Sequence, residues 1–143
     1  MNLLRGVSHV LAAVFNDRAR FEHAWRSYIP NDPPVPFEGR WRGEWVSAAN
    51  GHHGDLKCLL TQPSPGVFEA SFKATYASFL SVAYRVMLKA DHVGTGYYLK
   101  GEADLGMLAG GIYSYEGELS EFKFECHYRC KYDRGVFHLK SVS

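Results

Sequence analysis

The chain has 143 residues, of which 46% are hydrophobic and 22% charged, so it is long enough for one domain with a substantial core. Its 16 basic and 15 acidic residues leave a formal net charge of +1, which excludes the strongly basic surface of a generic nucleic-acid-binding protein. No run of apolar residues is long enough for a transmembrane helix, so we predict no membrane span. The 21 aromatic residues (9 Tyr, 9 Phe, 3 Trp) and 14 glycines favour strands and tight turns.

The three cysteines indicate a reducing compartment. Cys126 and Cys130 lie four positions apart on one predicted strand, where about 3.3 Å per residue separates their Cα atoms by roughly 13 Å, too far for a disulfide. We predict that both, and Cys58, are reduced and buried thiols. The first 15 residues hold a short apolar stretch without a small-residue cleavage site, so we interpret them as mature chain and predict a cytoplasmic protein.

The first predicted element is an amphipathic helix over residues 8–28, with Ser8 as its candidate N-cap. At about 100° per residue its apolar side chains share one face; they are Val10, Leu11, Val14, Phe21, Trp25 and Tyr28. Four prolines between positions 30 and 36 end the helix and predict a stiff connector. We therefore divide the single domain into a helix and connector, 1–38, and a β-barrel, 39–143.

From Gly39 onward the apolar period changes to two, and turn residues recur about every ten positions, which predicts about eight strands. Short connections predict sequential antiparallel hairpins, and many strands with one apolar face close into a barrel. We predict a mainly β fold: an eight-stranded antiparallel up-and-down barrel with one N-terminal helix across an end or a flank. The inward-facing series is Trp41, Gly43, Trp45; Leu56, Cys58, Leu60; Phe68, Ala70, Phe72, Ala74, Tyr76; Leu80, Val82, Tyr84, Val86, Leu88; Tyr97, Leu99, Gly101, Ala103; Tyr113, Tyr115, Gly117, Leu119; Phe122, Phe124, Cys126, Tyr128, Cys130; Phe137, Leu139.

Three inward glycines, Gly43, Gly101 and Gly117, are each followed by a glutamate. An interior glycine weakens a strand unless the strand bends or another backbone approaches it closely. We predict that these glycines supply the kinks that a small barrel needs. The alternative is that they leave room for a ligand.

The segment Gly39-Arg40-Trp41-Arg42-Gly43, together with the strand rhythm, resembles the start of the calycin barrels. These include the lipocalins, the fatty-acid-binding proteins and the nitrobindin-like haem barrels, and the resemblance implies a central cavity for a small, largely apolar molecule. The lipocalin pattern adds a basic residue on the last strand that packs over the Trp, for which Lys140 is the candidate. Nitrobindin-like proteins use a late histidine to bind haem; here His138 alternates with its apolar neighbours and faces outward, so we expect no cofactor.

The other motifs give little support for a catalytic, metal-binding or phosphate-binding site. His52-His53 lies in a glycine-flanked turn without a third ligand at metal-site spacing, and no Ser, His and acid share a catalytic motif. Glu102 and Asp104 could form an acid–base pair but are better explained as surface residues. The glycine-rich stretch 106–111 precedes no helix that could bind phosphate, so we predict a hairpin tip that can gate the barrel mouth. We predict no catalytic residue and no metal site.

The inward aromatic side chains are the candidate ligand-binding site, because a buried tyrosine needs a partner for its hydroxyl and ligand pockets combine apolar walls with a few polar groups. The predicted set is Trp41, Trp45, Phe72, Tyr84, Tyr113, Tyr115 and Tyr128. The alternative is that these rings simply fill an eight-stranded barrel, whose interior is only just wide enough for side chains.

These patterns predict a non-enzymatic binding protein for a small apolar or aromatic ligand, with the helix or the 106–111 loop closing the mouth. Two alternatives stay open. One is a barrel enzyme that uses a cavity tyrosine or carboxylate for acid–base chemistry. The other is a packed barrel that acts as an interaction module, monomeric or homodimeric, through outward apolar side chains; these are Val46, Leu59, Val67, Phe79 and Met87.

Overall fold

A computed structural model describes residues 18–76, 80–106 and 111–142, and in it eight strands form one closed antiparallel barrel in sequence order. The predicted fold class is confirmed. The first strand pairs with both the second and the last, which closes the sheet without free edges. The strands are β1 (Gly39–Ser47), β2 (His53–Ser64), β3 (Val67–Tyr76), β4 (Leu80–Val93), β5 (Gly96–Asp104), β6 (Ile112–Leu119), β7 (Lys123–Arg129) and β8 (Arg134–Val142).

The period-two pattern places the core inside the barrel. Side chains alternate between the two faces of a strand, so a strand with one apolar face turns that face inward. The predicted inward residues in the middle of the strands are buried as expected, among them Leu56, Phe68, Leu88, Leu99 and Leu139. Within the described ranges, no helix is long and apolar enough to cross a membrane.

Two residues predicted as inward on the seventh strand lie outside it. Phe122 is 72% exposed in the turn before β7, and Cys130 is half-buried in the turn after it. The Ser120 amide donates to the Lys123 carbonyl, and the Cys130 amide donates to the Asp133 carbonyl, both at 2.8 Å. These two hydrogen bonds belong to the turns on either side of β7, so the strand is shorter than the apolar–polar alternation predicted. Phe122 therefore leaves the ladder and does not face the core, whereas Cys130 lies beyond the end of β7 but its half-buried side chain still lies beside the inward Tyr113.

The described part of the helix, residues 18–27 (α1), lies on the flank of the barrel. Phe21 is buried and borders a small groove with Leu59 and Ala83, which lie on the outward side of β2 and β4. Strand four was expected to expose Ser81 and Ala83, but both are buried; Ala83 lies beside Phe21 of α1, which the predicted pattern did not place against this side of the sheet. Of the two predicted positions for the helix, an end or a flank, the structure shows the flank.

Polar contacts fix this helix and the residues that follow it. Glu22 forms an ion pair and hydrogen bond with Lys73 on β3. The Arg40 guanidinium donates to the Trp25 carbonyl at 2.7 Å and to the Tyr28 carbonyl at 3.2 Å, and it lies over both rings. These bonds hold the middle of α1 against β3 and its C-terminal part beside the start of β1, on the outer side of the barrel. The predicted helical positions before 18, with Ser8, Val10, Leu11 and Val14, lie outside the described residues.

The inward glycines mark close approach between strand backbones. A Cβ on Gly43 would lie 1.7 Å from the His138 carbonyl oxygen of β8, and one on Gly117 would lie 2.1 Å from the Glu125 carbonyl oxygen of β7. Real Cβ atoms do not approach a carbonyl this closely, so the neighbouring backbone already occupies the space. This supports the predicted kinks over the alternative of room left for a ligand.

Candidate functional site

The end of the barrel where β1 begins is closed by aromatic rings; we call it the sealed end. Phe37 packs over the core and meets Tyr97 edge to face at 5.4 Å, while Tyr97 meets Phe68 at 5.1 Å. The Trp41 indole donates to the Phe37 carbonyl at 3.0 Å and packs edge to face against Phe124. Phe37 holds a positive φ of 72°, an uncommon conformation for a residue with a side chain. The indole bond and the ring contacts hold it there.

The opposite end, where β1 finishes, is lined by tyrosines; we call it the tyrosine end. Five inward tyrosines from β3, β4, β6 and β7 lie there, and their burial increases with depth: Tyr76 is 39% exposed, Tyr84 and Tyr113 are half-buried, and Tyr128 and Tyr115 are buried. Leu80, on the inward series of β4, is 54% exposed. The apolar lining of this end therefore remains partly open to solvent.

Between the two ends the interior is filled by ring-to-ring packing. The Phe72 ring lies 5.5 Å from that of Tyr84 and 5.3 Å from that of Phe137, and Phe137 lies 5.0 Å from Tyr128. Such spacings leave little free space between neighbouring rings. The filled-barrel alternative therefore describes the middle of the barrel, and the tyrosine end above it is the part with accessible apolar walls.

A carboxylate from the last hairpin organises one side of the tyrosine end. Asp133 accepts hydrogen bonds from the Ser47 hydroxyl at 2.6 Å and from the Tyr128 hydroxyl at 3.1 Å. Ser47 is buried at the end of β1, so this carboxylate joins two elements distant in sequence. Nearby, the Trp45 indole donates to the Thr75 carbonyl at 3.0 Å, and its ring lies 4.7 Å from Tyr76.

The hydroxyl of Tyr115 differs from that of Tyr128. Tyr115 is 1% exposed, and within the described residues no partner meets hydrogen-bond geometry with its hydroxyl. The Tyr84 hydroxyl is nevertheless near enough to influence the pKa of Tyr115. Burial, above all, raises the pKa of Tyr84, Tyr113 and Tyr115 well above the usual value for tyrosine. These tyrosines therefore stay protonated at neutral pH and act as hydrogen-bond donors.

The structure brings most of the predicted ligand-binding set to one region. Tyr84, Tyr113, Tyr115 and Tyr128 line the tyrosine end, with Trp45 beside them and Phe72 below. Trp41 lies at the sealed end and is separate from this group. The sequence pattern did not identify Ser47 and Asp133, because a serine at a strand end and an aspartate before Arg-Gly are typical of ordinary turns.

The cysteines at the centre of the barrel are poor nucleophiles. Burial raises the pKa of Cys58 well above its usual range and that of Cys126 to about 12. All three cysteines are free, and Cys58 and Cys126 are buried as predicted, whereas Cys130 is only half-buried. The reactive thiolate is therefore scarce at neutral pH in the two central thiols.

Residues singled out by the calycin resemblance lie on the outer surface. His138 faces outward, with its Nδ1 3.2 Å from a carboxylate oxygen of Glu125. Lys140 is exposed on the outer side of β8, so it does not pack over Trp41 as the lipocalin pattern suggested. His52 and His53 are also exposed, and the described ranges hold no cluster of three or more metal-ligating side chains.

Grooves are also present on the outside of the barrel. A groove of about 540 Å³ crosses β6, β7 and β8 between Glu116, His127, Arg129 and Arg134, and another of about 360 Å³ lies beside the turn that joins β4 and β5. Both are shallow and lined mostly by exposed side chains. Of the five tyrosines of the tyrosine end, only Tyr128 borders either groove, and polar side chains predominate in both.

Comparison with protein-family models and with curated proteins finds no match for this chain. Its likeness to the calycins therefore extends to an eight-stranded closed barrel with a short helix, and its function must be argued from the site.

Proposed function

We propose that this protein is a calycin-like binding protein that holds a small apolar or aromatic molecule at the tyrosine end of its barrel. One observation carries the proposal: inward side chains here remain exposed, with Leu80 at 54% and Tyr76 at 39%. Exposed apolar surface is unfavourable in water, at about 25 cal/mol per Å². A ligand that covers these side chains recovers that free energy.

The chemistry of the lining also suits a ligand. Small-molecule sites combine apolar and aromatic walls with a few fixed polar groups. Here Trp45, Tyr76 and Tyr113 supply ring surfaces, and the hydroxyls of Tyr84 and Tyr115 supply donors. The sealed end offers no comparable surface, because Trp41 and Phe124 are fully buried against each other.

The enzyme alternative has less support. A tyrosine acting as a general base must lose its proton, and the raised pKa of Tyr84, Tyr113 and Tyr115 opposes this at neutral pH. The Asp133 carboxylate accepts hydrogen bonds from Ser47 and Tyr128. It is therefore engaged in structure rather than held free for proton transfer.

The interaction-module alternative also has less support. Of its outward apolar side chains, Leu59 is covered beside α1, Val46 and Val67 are half-buried, and Met87 is 51% exposed. Phe79 lies outside the described residues. Among the four described members of this set, only Met87 is largely exposed, which is less than the continuous patch that marks a protein interface.

A fluorescence titration with the neutral dye Nile red tests the proposal. We expect saturable binding with a Kd on the order of micromolar. Leu80→Lys places a charge at the rim of the tyrosine end and should weaken binding about tenfold or more. Met87→Lys is the matched control, because it lies on the same strand with similar exposure but on the outer face. Equal weakening by both variants, or dye binding that does not saturate, contradicts the proposal.

Native mass spectrometry of the protein purified from its own source provides a second test. A reproducible added mass that is lost in Leu80→Lys and retained in Met87→Lys identifies the bound molecule. Protein that carries no added mass and also fails to bind Nile red contradicts a ligand-binding function.

A further inference from the structure

Two arginines lie directly opposite each other on the outer face of the barrel, beside the tyrosine end. Arg129 is the last residue of β7 and Arg134 the first of β8, and the two are partners in the antiparallel register. Both side chains are exposed, and their neighbours within the strands face inward. Side chains in this relation have Cβ atoms about 5 Å apart, and like charges so placed destabilise a sheet. The pair therefore costs stability unless a negative charge offsets it.

The nearby carboxylates are engaged elsewhere. Within residues 18–76, 80–106 and 111–142, the ion pairs include neither guanidinium. Asp133 lies in the turn between Arg129 and Arg134, but its carboxylate accepts hydrogen bonds from two side-chain hydroxyls, at 2.6 and 3.1 Å. Glu116 is the acid that borders the same groove as the arginines, and it forms an ion pair with Lys100 at 3.6 Å. Two positive charges therefore remain available to an anion from solution.

The arginines border the groove of about 540 Å³ that crosses β6, β7 and β8. Ser114 of β6 is the register partner of Arg129, so a hydroxyl and two guanidinium groups form one row across three strands. His127 lies two positions before Arg129 on the same face and adds an imidazole. All these groups can donate hydrogen bonds. The groove therefore combines a concave surface with several donors and two positive charges.

The number of donors and charges selects the class of anion. A guanidinium presents parallel N–H groups to two oxygens of a carboxylate or phosphate. A carboxylate has two oxygens and one charge, and a phosphodiester has two free oxygens and one charge, so either satisfies one arginine. A phosphate monoester has three terminal oxygens and close to two negative charges at neutral pH. It can therefore bind both arginines at once and offset both charges.

We propose that this groove is a binding site for a phosphate group, either free phosphate or a phosphate monoester, with Arg129 and Arg134 as its charged ligands and Ser114 as a hydrogen-bond donor. The site lies on the outside of the barrel and is separate from the interior of the tyrosine end. It therefore does not depend on the proposed binding of an apolar molecule. The bound anion removes the repulsion between the two arginines and stabilises the folded protein.

Calorimetric titration of the full chain with inorganic phosphate, phenyl phosphate and dimethyl phosphate at pH 7.5 and low salt tests the site. We expect saturable binding of the first two with a Kd on the order of 0.1 mM. The diester dimethyl phosphate should bind about tenfold more weakly or worse. Tighter binding of phenyl phosphate than of inorganic phosphate assigns the site to an organic monoester, whereas equal or weaker binding assigns it to free phosphate.

Four variants locate the site. Arg129→Gln and Arg134→Gln should each weaken the binding of phosphate and phenyl phosphate about tenfold or more, because each removes a charge and a bidentate donor. Ser114→Ala should weaken it by a smaller factor, roughly threefold. Arg42→Gln is the matched control, because it removes the same charge from an exposed arginine on the outer face of β1, outside the groove. The melting temperature of each ligand-free variant reports folding, and it should not fall for the two groove arginines, since their repulsion is relieved.

Thermal unfolding gives a second readout. Phenyl phosphate should raise the melting temperature of the unaltered protein but not that of the double variant Arg129→Gln/Arg134→Gln. A lack of saturable binding, or equal weakening by Arg42→Gln, would show that the arginines belong to a diffuse charged surface and not to a site. Dimethyl phosphate binding as tightly as phenyl phosphate would overturn the assignment to dianionic phosphate. Nile red binding is measured separately, so failure of the proposed function and failure of this inference are distinguishable.

Discussion

The two ends of this barrel are built from similar aromatic side chains, but the rings are used differently. At the sealed end, Phe37 meets Tyr97 edge to face and Trp41 meets Phe124 edge to face, and the indole N–H is satisfied by a backbone carbonyl. At the tyrosine end, Tyr76 is 39% exposed, and no partner within the described part of the chain meets hydrogen-bond geometry with the Tyr115 hydroxyl. Aromatic content alone therefore does not distinguish the two ends; the exposure of the rings and the bonding of their polar atoms do. The following predictions test this contrast, in order of expected effect.

Removal of an aromatic side chain should lower the free energy of unfolding more at the sealed end than at the tyrosine end. We expect Trp41→Ala to lower the free energy of unfolding by about 4 kcal/mol, because it removes a buried ring and leaves a cavity. Tyr76→Ala at the tyrosine end should cost about 1 kcal/mol, because that ring is already 39% exposed. Urea denaturation measures both values. Equal losses would contradict the distinction between a packed end and an open one.

Removal of a satisfied hydroxyl should destabilise the barrel. Tyr128→Phe keeps the ring but removes the bond to Asp133, and we expect a loss of about 1.5 kcal/mol, as for a hydrogen bond to a charged group. Thermal unfolding gives the change. Tyr132→Phe in the adjacent exposed turn is the control and should leave the melting temperature unaltered.

Removal of the Tyr115 hydroxyl should stabilise the protein, whereas removal of the Tyr128 hydroxyl should destabilise it. Tyr115→Phe removes a buried donor for which the described ranges hold no partner in hydrogen-bond geometry, so we expect the ligand-free protein to gain about 1 kcal/mol of stability. The same denaturation experiment compares it with Tyr128→Phe. Destabilisation of similar size in both variants would show that the Tyr115 hydroxyl is already well bonded in the free protein.

The smallest change in stability is expected for a substitution in α1, on the flank of the barrel. Glu22→Gln removes the ion pair with Lys73 and should cost about 0.5 kcal/mol, because both side chains are partly exposed. The hydrogen bond from Lys73 lowers the pKa of Glu22 below 4.5, so its contribution is present above that pH and is lost as the pH falls further. Denaturation at pH 7 and pH 3 checks the sign. Nile red affinity should not change, since the Glu22–Lys73 pair lies on the outer flank of the barrel.

Much of the fold follows from local sequence pattern. The alternation in segments such as Phe68–Ala74 specifies which face is buried, and short turns specify antiparallel neighbours, so strand number and barrel closure could be predicted. The errors occur where the outcome depends on non-local partners. Ala83 is buried beside α1, a helix from another part of the chain, and the alternation along β4 gives no indication of this contact.

The sequence predicted which side chains face the barrel interior, but not how they are distributed between its two ends. The inward position of Tyr84, Tyr113, Tyr115 and Tyr128 follows from strand parity. Strand parity does not show which end each ring faces, so Trp41 was grouped with residues of the opposite end. The bond from Ser47 to Asp133 joins positions 86 apart in sequence. No local motif predicts it, because it depends on closure of the barrel.

The seam between β1 and β8 has a consequence for synthesis. Its partners, such as Trp45 and Phe137, lie roughly 90 positions apart, and contacts of such long sequence separation form slowly. While the chain is being made, β1 has one strand neighbour and an unpaired edge until β8 leaves the ribosome. During that interval the nascent protein is an open, partly apolar sheet that is prone to aggregation. Its yield in cells should therefore depend on translation speed and chaperone supply more than its folded stability suggests.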